Sequence, residues 1–148
     1  MTIEVLLRYR TRRPWAPGPA TLRGWAQLAA GARKGELGIR VVGVAESSAL
    51  NLRYRGKRAP TNVLSFPMPA DSGRAHGIIG DIVVCAPLVA REAREQGKVL
   101  RAHWAHMVIH GTLHLLGFDH QRTSDARRME GRERRLLGQL GFGDPYGE

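Results

Sequence analysis

The chain has 148 residues, a mass of 16.4 kDa, one cysteine and a formal charge of +10. That length suits one domain over residues 1–148 with a sizeable core, the lone Cys85 excludes an intramolecular disulfide framework, and no run of about eighteen uncharged apolar residues suggests a membrane span. The charge is uneven: residues 1–75 carry 13 Lys/Arg against 4 Asp/Glu, whereas residues 76–148 carry 10 against 9, so the N-terminal half is the one expected to face a polyanion such as nucleic acid.

In TIEVLLRYR, the alternation of Ile3, Val5, Leu7 and Tyr9 predicts a strand, and the same segment lacks the long apolar run of a signal peptide, so a cytoplasmic location is expected. RRPWAPGPA reads as a loop. With Thr21 as N-cap, the helical spacing of Leu22, Trp25, Leu28, Ala29 and Ala32 predicts a helix ending near Gly35. LGIRVVGVA reads as a second strand, and SSALNLRYRG as a short helix closed by Gly56. TNVLSF and GIIGDIVVC are β-rich runs on either side of the turn-rich MPADSGRAH. Pro87 opens a helix running to Gly97, a second helix spans about Leu100 to Leu116, and a last one from Ser124 carries Met129, Glu133, Leu136, Leu137 and Leu140 on one side. This order predicts an α+β chain with one small mixed sheet and helices packed on it.

The most informative stretch is HGTLHLLGFDH, His110 to His120. His110 and His114 are four apart on the predicted helix, so both imidazoles project from one face and can hold a single cation. Gly117 stops the helix, which lets His120 approach the same point from outside and supply a third nitrogen. Three protein ligands with an open fourth position describe a catalytic zinc centre better than a structural one, and one Zn²⁺ per chain is expected. Of the neighbouring histidines, His103 and His106 are expected to be partly exposed surface rather than to serve the site, and His76 has no evident partner. Cys85 reads as a small buried hydrophobe.

The metzincin proteases share the H-E-x-x-H-x-x-G-x-x-H arrangement, and this chain matches its histidines and glycine but has Gly111 in place of the glutamate. That glutamate is the proton acceptor in zinc proteases, so a conventional peptidase is disfavoured.

HGTLHLLGFDH, together with LNLRYRGKRAPTNVLSFP at Leu50 to Pro67 and GDIVVC at Gly80 to Cys85, resembles the YbeY family of bacterial single-strand-specific endoribonucleases, over most of residues 37–146. The resemblance implies a metal-dependent enzyme with a zincin-like fold. It also implies ribosomal RNA maturation, notably at the 3′ end of the small-subunit RNA, and ribosome quality control, with ribosomal proteins or the small subunit as partners. Residue by residue, it implies His110, His114 and His120 as metal ligands and Arg55 as a functional arginine. One departure is visible, because the family often has an acidic residue where Arg58 stands.

Read from the residues alone, RYRGKR supports an RNA-facing loop. Arg53, Arg55, Lys57 and Arg58 surround a glycine-closed helix end, and a guanidinium can pair with a phosphodiester while neutralising developing charge. Arg53, Lys57 and Arg58 are thus substrate-binding candidates, and Tyr54 is expected to pack against the domain more than on a base. Asp119 and Asp81 are the two candidates for a general base or for orienting a ligand imidazole. Two rival classes remain open: a metal-dependent hydrolase of another substrate, including peptides, and a non-catalytic ribosome-assembly protein that binds RNA.

Overall fold

The structure is a computed structural model, and it describes residues 3–11, 15–68, 77–118 and 122–147. Within them the elements run β1 (Glu4–Tyr9), α1 (Pro19–Ala30), β2 (Glu36–Val42), α2 (Val44–Arg55), β3 (Val63–Pro67), β4 (Ile78–Cys85), α3 (Ala86–Gln96), α4 (Leu100–Leu115) and α5 (Thr123–Gln139). The order is the predicted one, with local differences. Helix α1 starts at Pro19 behind Gly18 and not at a Thr21 cap, because proline's fixed φ suits the first helical turn. It stops at Ala30 and leaves Ala32 exposed. Helix α2 takes Val44 and Ala45 from the predicted strand, and Glu46 in its first turn favourably meets the positive end of the helix dipole.

The sheet has the order β1-β2-β4-β3, with β1, β2 and β4 parallel and β3 antiparallel to β4. Its mixed pairing and the helices around it make the fold α+β. Strand side chains alternate between faces. Val5, Leu37, Ile39, Val41, Ile82 and Val84 join one core with Leu22, Trp25, Ala26 and Ala29 of α1 and Val108, Ile109 and Leu113 of α4. On the opposite face Val42, Leu64, Val83 and Cys85 form a smaller cluster that Leu50 of α2 and Phe66 pack against. Burying a Val, Leu or Ile side chain contributes about 1.5–3 kcal/mol, so these two clusters carry the fold.

Helix α4 is the central element. It packs between β3, β4 and the helices α1, α3 and α5, and from His103 to Leu113 only His110 is more than marginally exposed. At Gly111 the backbone lies so close to the sheet that a Cβ would stand 2.9 Å from Ile82 Cγ2 and 3.3 Å from Val63 Cγ2. The Ser65 hydroxyl donates to the Gly111 carbonyl at 3.1 Å, tying edge strand β3 to the helix at that point. His110 is thereby set at the sheet's edge. No helix among the described residues is long and apolar enough to cross a membrane.

Candidate metal centre

His110 and His114 lie one turn apart on α4, their ring centroids 6.3 Å apart and tilted by 52°. Two imidazoles on one ion can span such a separation, given Zn–N bonds of about 2.0–2.1 Å. Both line a cavity of about 400 Å³ with Arg55, Thr61, Asn62, Val63, Leu64 and Ser65. Beyond Leu115 the chain turns as the sequence predicts: Gly117 adopts a φ of 102°, and the Phe118 N–H donates to the Leu113 carbonyl at 3.1 Å. Asp119 and His120 lie outside the described residues, as does His76.

Arg55 reaches this cavity because buried side chains of α2 fix the segment that follows it. The Ser47 hydroxyl donates to the Thr61 carbonyl and accepts from the Thr61 N–H, both at 3.0 Å, while Asn51 Nδ2 donates to the Ala59 carbonyl at 2.7 Å. Asn62 is held in turn by Glu92 of α3, whose carboxylate accepts from its amide at 3.2 and 3.3 Å. Of the four basic residues around Gly56, Arg55 is the one that lines the cavity. Arg53, Lys57 and Arg58 are exposed around it, with the Arg53 guanidinium 5.7 Å from the centroid of the Tyr54 ring. Tyr54 meets Phe66 edge-on at 4.8 Å, so it packs on the domain while remaining 57% exposed.

Behind the cavity stands a buried carboxylate. Glu133 of α5 is 0% exposed, and its Oε2 lies 2.9 Å from His110 Nδ1 and 3.1 Å from His106 Nε2. Its Oε1 accepts from the Tyr146 hydroxyl at 2.5 Å. Burial alone pushes the Glu133 carboxyl upward, but hydrogen bonds from His106, His110 and Tyr146 and the attraction of His106 outweigh it and hold the group down at about 2. Burial and the neighbouring carboxylate push the Tyr146 phenol upward, so the proton between them stays on tyrosine.

His106, His110 and Glu133 therefore bring three atoms able to ligate a metal within 4.8 Å of one another. Their spacing is that of hydrogen bonds. An ionised carboxylate only accepts, so each facing imidazole nitrogen carries a hydrogen, and the neutral form of His110 has its lone pair on Nε2.

The family model described as Endoribonuclease YbeY matches residues 21–141. Curated relatives carry the same description: one from Halorhodospira halophila is 53% identical over 138 residues, covering 90% of each chain, and one from Methylococcus capsulatus is 52% identical over 132 residues, covering 89% of this chain and 88% of its own. The chain belongs to the YbeY endoribonuclease family. The solution structure of a Thermotoga maritima protein shares the fold, with a TM-score of 0.61, 23% identity and 99% of both chains covered.

Set beside the YbeY-like motifs, two expectations need correction. His103 and His106 are not surface groups: they are 4% and 7% exposed, and each faces a carboxylate, His103 Nε2 at 2.9 Å from Glu92 Oε1 and His106 Nε2 at 3.1 Å from Glu133 Oε2. Histidines are more often partly exposed, but these two are inside because α4 is covered on nearly all sides. Asp81 does not share the cavity with His110. It alternates with Ile82, which faces α4, and its carboxylate lies over Gly38 on the opposite face of the sheet, beside Arg40, Tyr54 and Phe66. Glu133 and Tyr146 were missed as parts of the site, although Glu133 stands in the apolar stripe of Met129, Leu136 and Leu137, where a carboxylate needs partners.

Proposed function

We propose that this chain is a zinc-dependent endoribonuclease that cleaves single-stranded RNA in ribosomal RNA maturation, including the 3′ end of the small-subunit RNA, and in ribosome quality control. The observation that supports it best is the convergence of Arg55, His110 and His114 on one cavity. His110, His114 and His120 would hold the ion. The donor set suits it, since neutral imidazoles are zinc ligands and His110 presents Nε2 with its other nitrogen hydrogen-bonded to Glu133. When bound, such an ion supplies Lewis-acid polarisation of a phosphoryl oxygen.

Arg55 binds the scissile phosphodiester through its paired N–H groups and stabilises the charge that grows on its oxygens. The exposed Arg53, Lys57 and Arg58 extend that contact along the RNA backbone, where charge is read without sequence. Gly111 leaves no side chain next to His110, so the chain lacks the protease-type base, and the packing against Ile82 forbids one at that position. Asp81 is too far round the sheet to serve. Asp119 is the base this reading retains. The proposed place of action is the cytoplasm, alongside the small ribosomal subunit, and the net charge of +10 suits a partner rich in RNA.

Metal analysis and cleavage of a single-stranded RNA oligomer test the proposal together. Wild type should carry about one zinc per chain and cut the RNA, whereas His114→Ala should lose both. RNA cleavage that persists in His114→Ala would refute the metal role. A metal-loaded protein that binds RNA without cutting it would refute the enzyme reading.

A further inference from the structure

The C-terminal tail is tied into the site from a distance. The Asp144 carboxylate accepts from Arg134 Nε at 3.0 and 2.9 Å and from the Tyr146 N–H at 2.8 Å, and the Arg134 guanidinium stands 5.4 Å from the centroid of the Tyr146 ring. Lys98, just before α4, donates to the Pro145 carbonyl at 3.3 Å. Residues 144–146 are thus clamped against α5 and the start of α4, and the clamp delivers the Tyr146 hydroxyl to Glu133 Oε1 and to within 3.2 Å of His106 Nε2.

We propose that Tyr146 and Glu133 are positioning residues that fix the tautomer and orientation of His110, so that the C-terminal tail sets how tightly the centre holds its metal. This rests on the reading of His110 as a ligand. With Oε1 occupied by the tyrosine, the carboxylate plane is set and Oε2 is turned to the two histidines. His106 Nε2 faces Glu133 Oε2 at 3.1 Å, and an ionised carboxylate only accepts, so the hydrogen of a neutral His106 sits on Nε2, while Nδ1 is buried without a hydrogen-bond partner among the described residues. His106 therefore acts as a second fixed donor that stops the carboxylate from rotating. His110 is left with its hydrogen on Nδ1 and its lone pair on Nε2, the form that ligates a cation. Removing the tyrosine hydroxyl strips one donor from a buried anion, and the carboxylate is then able to turn away from His110.

Metal-stripped full-length protein provides the test. The imidazole ¹⁵N shifts of His110 report its tautomer, and zinc affinity is read by competition with a chelator. Wild type should show the Nδ1–H form of His110 and bind zinc. Glu133→Gln should mix the tautomers and weaken zinc by on the order of 10–100-fold, as for other groups that orient ligands. Tyr146→Phe should do the same to a smaller degree, and Asp144→Asn, which loosens the tail without removing any group that touches Glu133, should follow Tyr146→Phe in direction. A merely structural role would lower the melting temperature and leave the tautomer of the folded fraction unchanged. Unchanged tautomer and affinity in all three variants, beside a zinc-binding wild type, would overturn the inference and leave the metal centre standing. A wild type that takes up no zinc would instead overturn the metal centre, and complete loss of zinc in Glu133→Gln with the His110 tautomer intact would make Glu133 a direct ligand and overturn its positioning role.

Discussion

Gly111 and Ile82 meet so closely that no side chain fits between α4 and β4: a Cβ at Gly111 would stand 2.9 Å from Ile82 Cγ2. Overpacking of this kind destabilises by about 1–3 kcal/mol, and the helix propensity gained by alanine returns about 1 kcal/mol. Gly111→Ala should therefore lower stability in urea unfolding, and Ile82→Ala should make that second substitution far less harmful. Additive losses in the double variant would show that the contact is not the constraint. Gly111→Glu should disrupt the packing outright and confer no peptidase activity.

Arg55 shares its cavity with both α4 histidines, and its proposed task is to meet charge that appears only during cleavage. Arg55→Ala should cut RNA cleavage by on the order of 10²–10³, with metal content and folding preserved. Lysine should restore little, because it lacks the planar fork. Near-normal cleavage by Arg55→Ala, measured in single turnover, would remove Arg55 from the mechanism.

Arg53, Lys57 and Arg58 stand exposed around Arg55, whereas Arg127, Arg128 and Arg135 stand on α5 among the partly exposed Asp125 and Glu130. Neutralising the first set should weaken binding of naked single-stranded RNA at every sequence and flatten its salt dependence by up to roughly 0.7 per lost contact. Neutralising the second should do less, since nearby carboxylates cancel its field beyond a Debye length of about 8 Å. Equal losses from both triple variants would mean that overall charge governs binding.

His103 gives a pH prediction. Burial pushes its imidazole below the ordinary value, against the opposing hydrogen bond with Glu92. The unfolded chain therefore binds this proton more readily than the folded one. The stabilising contribution is complete above the unfolded value of about 6.5 and is lost as the pH falls from there toward the folded value. Urea unfolding between pH 5 and 8 should show stability falling on the acid side, and His103→Gln should flatten that slope. An unchanged slope would place the effect elsewhere.

Local pattern carried much of this architecture into the sequence. The turn at Gly117, the histidine pair on α4 and the closure of α2 at Gly56 each follow from a few neighbouring residues, and each is where the pattern puts it. What the sequence hid depends on contacts between elements. The period-2 pattern of β4 shows that Asp81 and Ile82 point opposite ways but not which of them faces α4. His103 and His106 were misplaced because a helix buried on nearly every side has no polar face to read. Glu133 was visible as a carboxylate among apolar neighbours, yet its partners come from positions 106, 110 and 146, and no spacing within α5 reveals them.

The most direct test of the centre is zinc-dependent cleavage of one single-stranded RNA oligomer by protein stripped of metal. Stripped wild type should be inactive and should regain cleavage as zinc is added, saturating near one equivalent per chain, while His110→Ala and His114→Ala stay inactive throughout. Full cleavage by the stripped protein, or by either variant, would contradict a catalytic metal centre at these histidines.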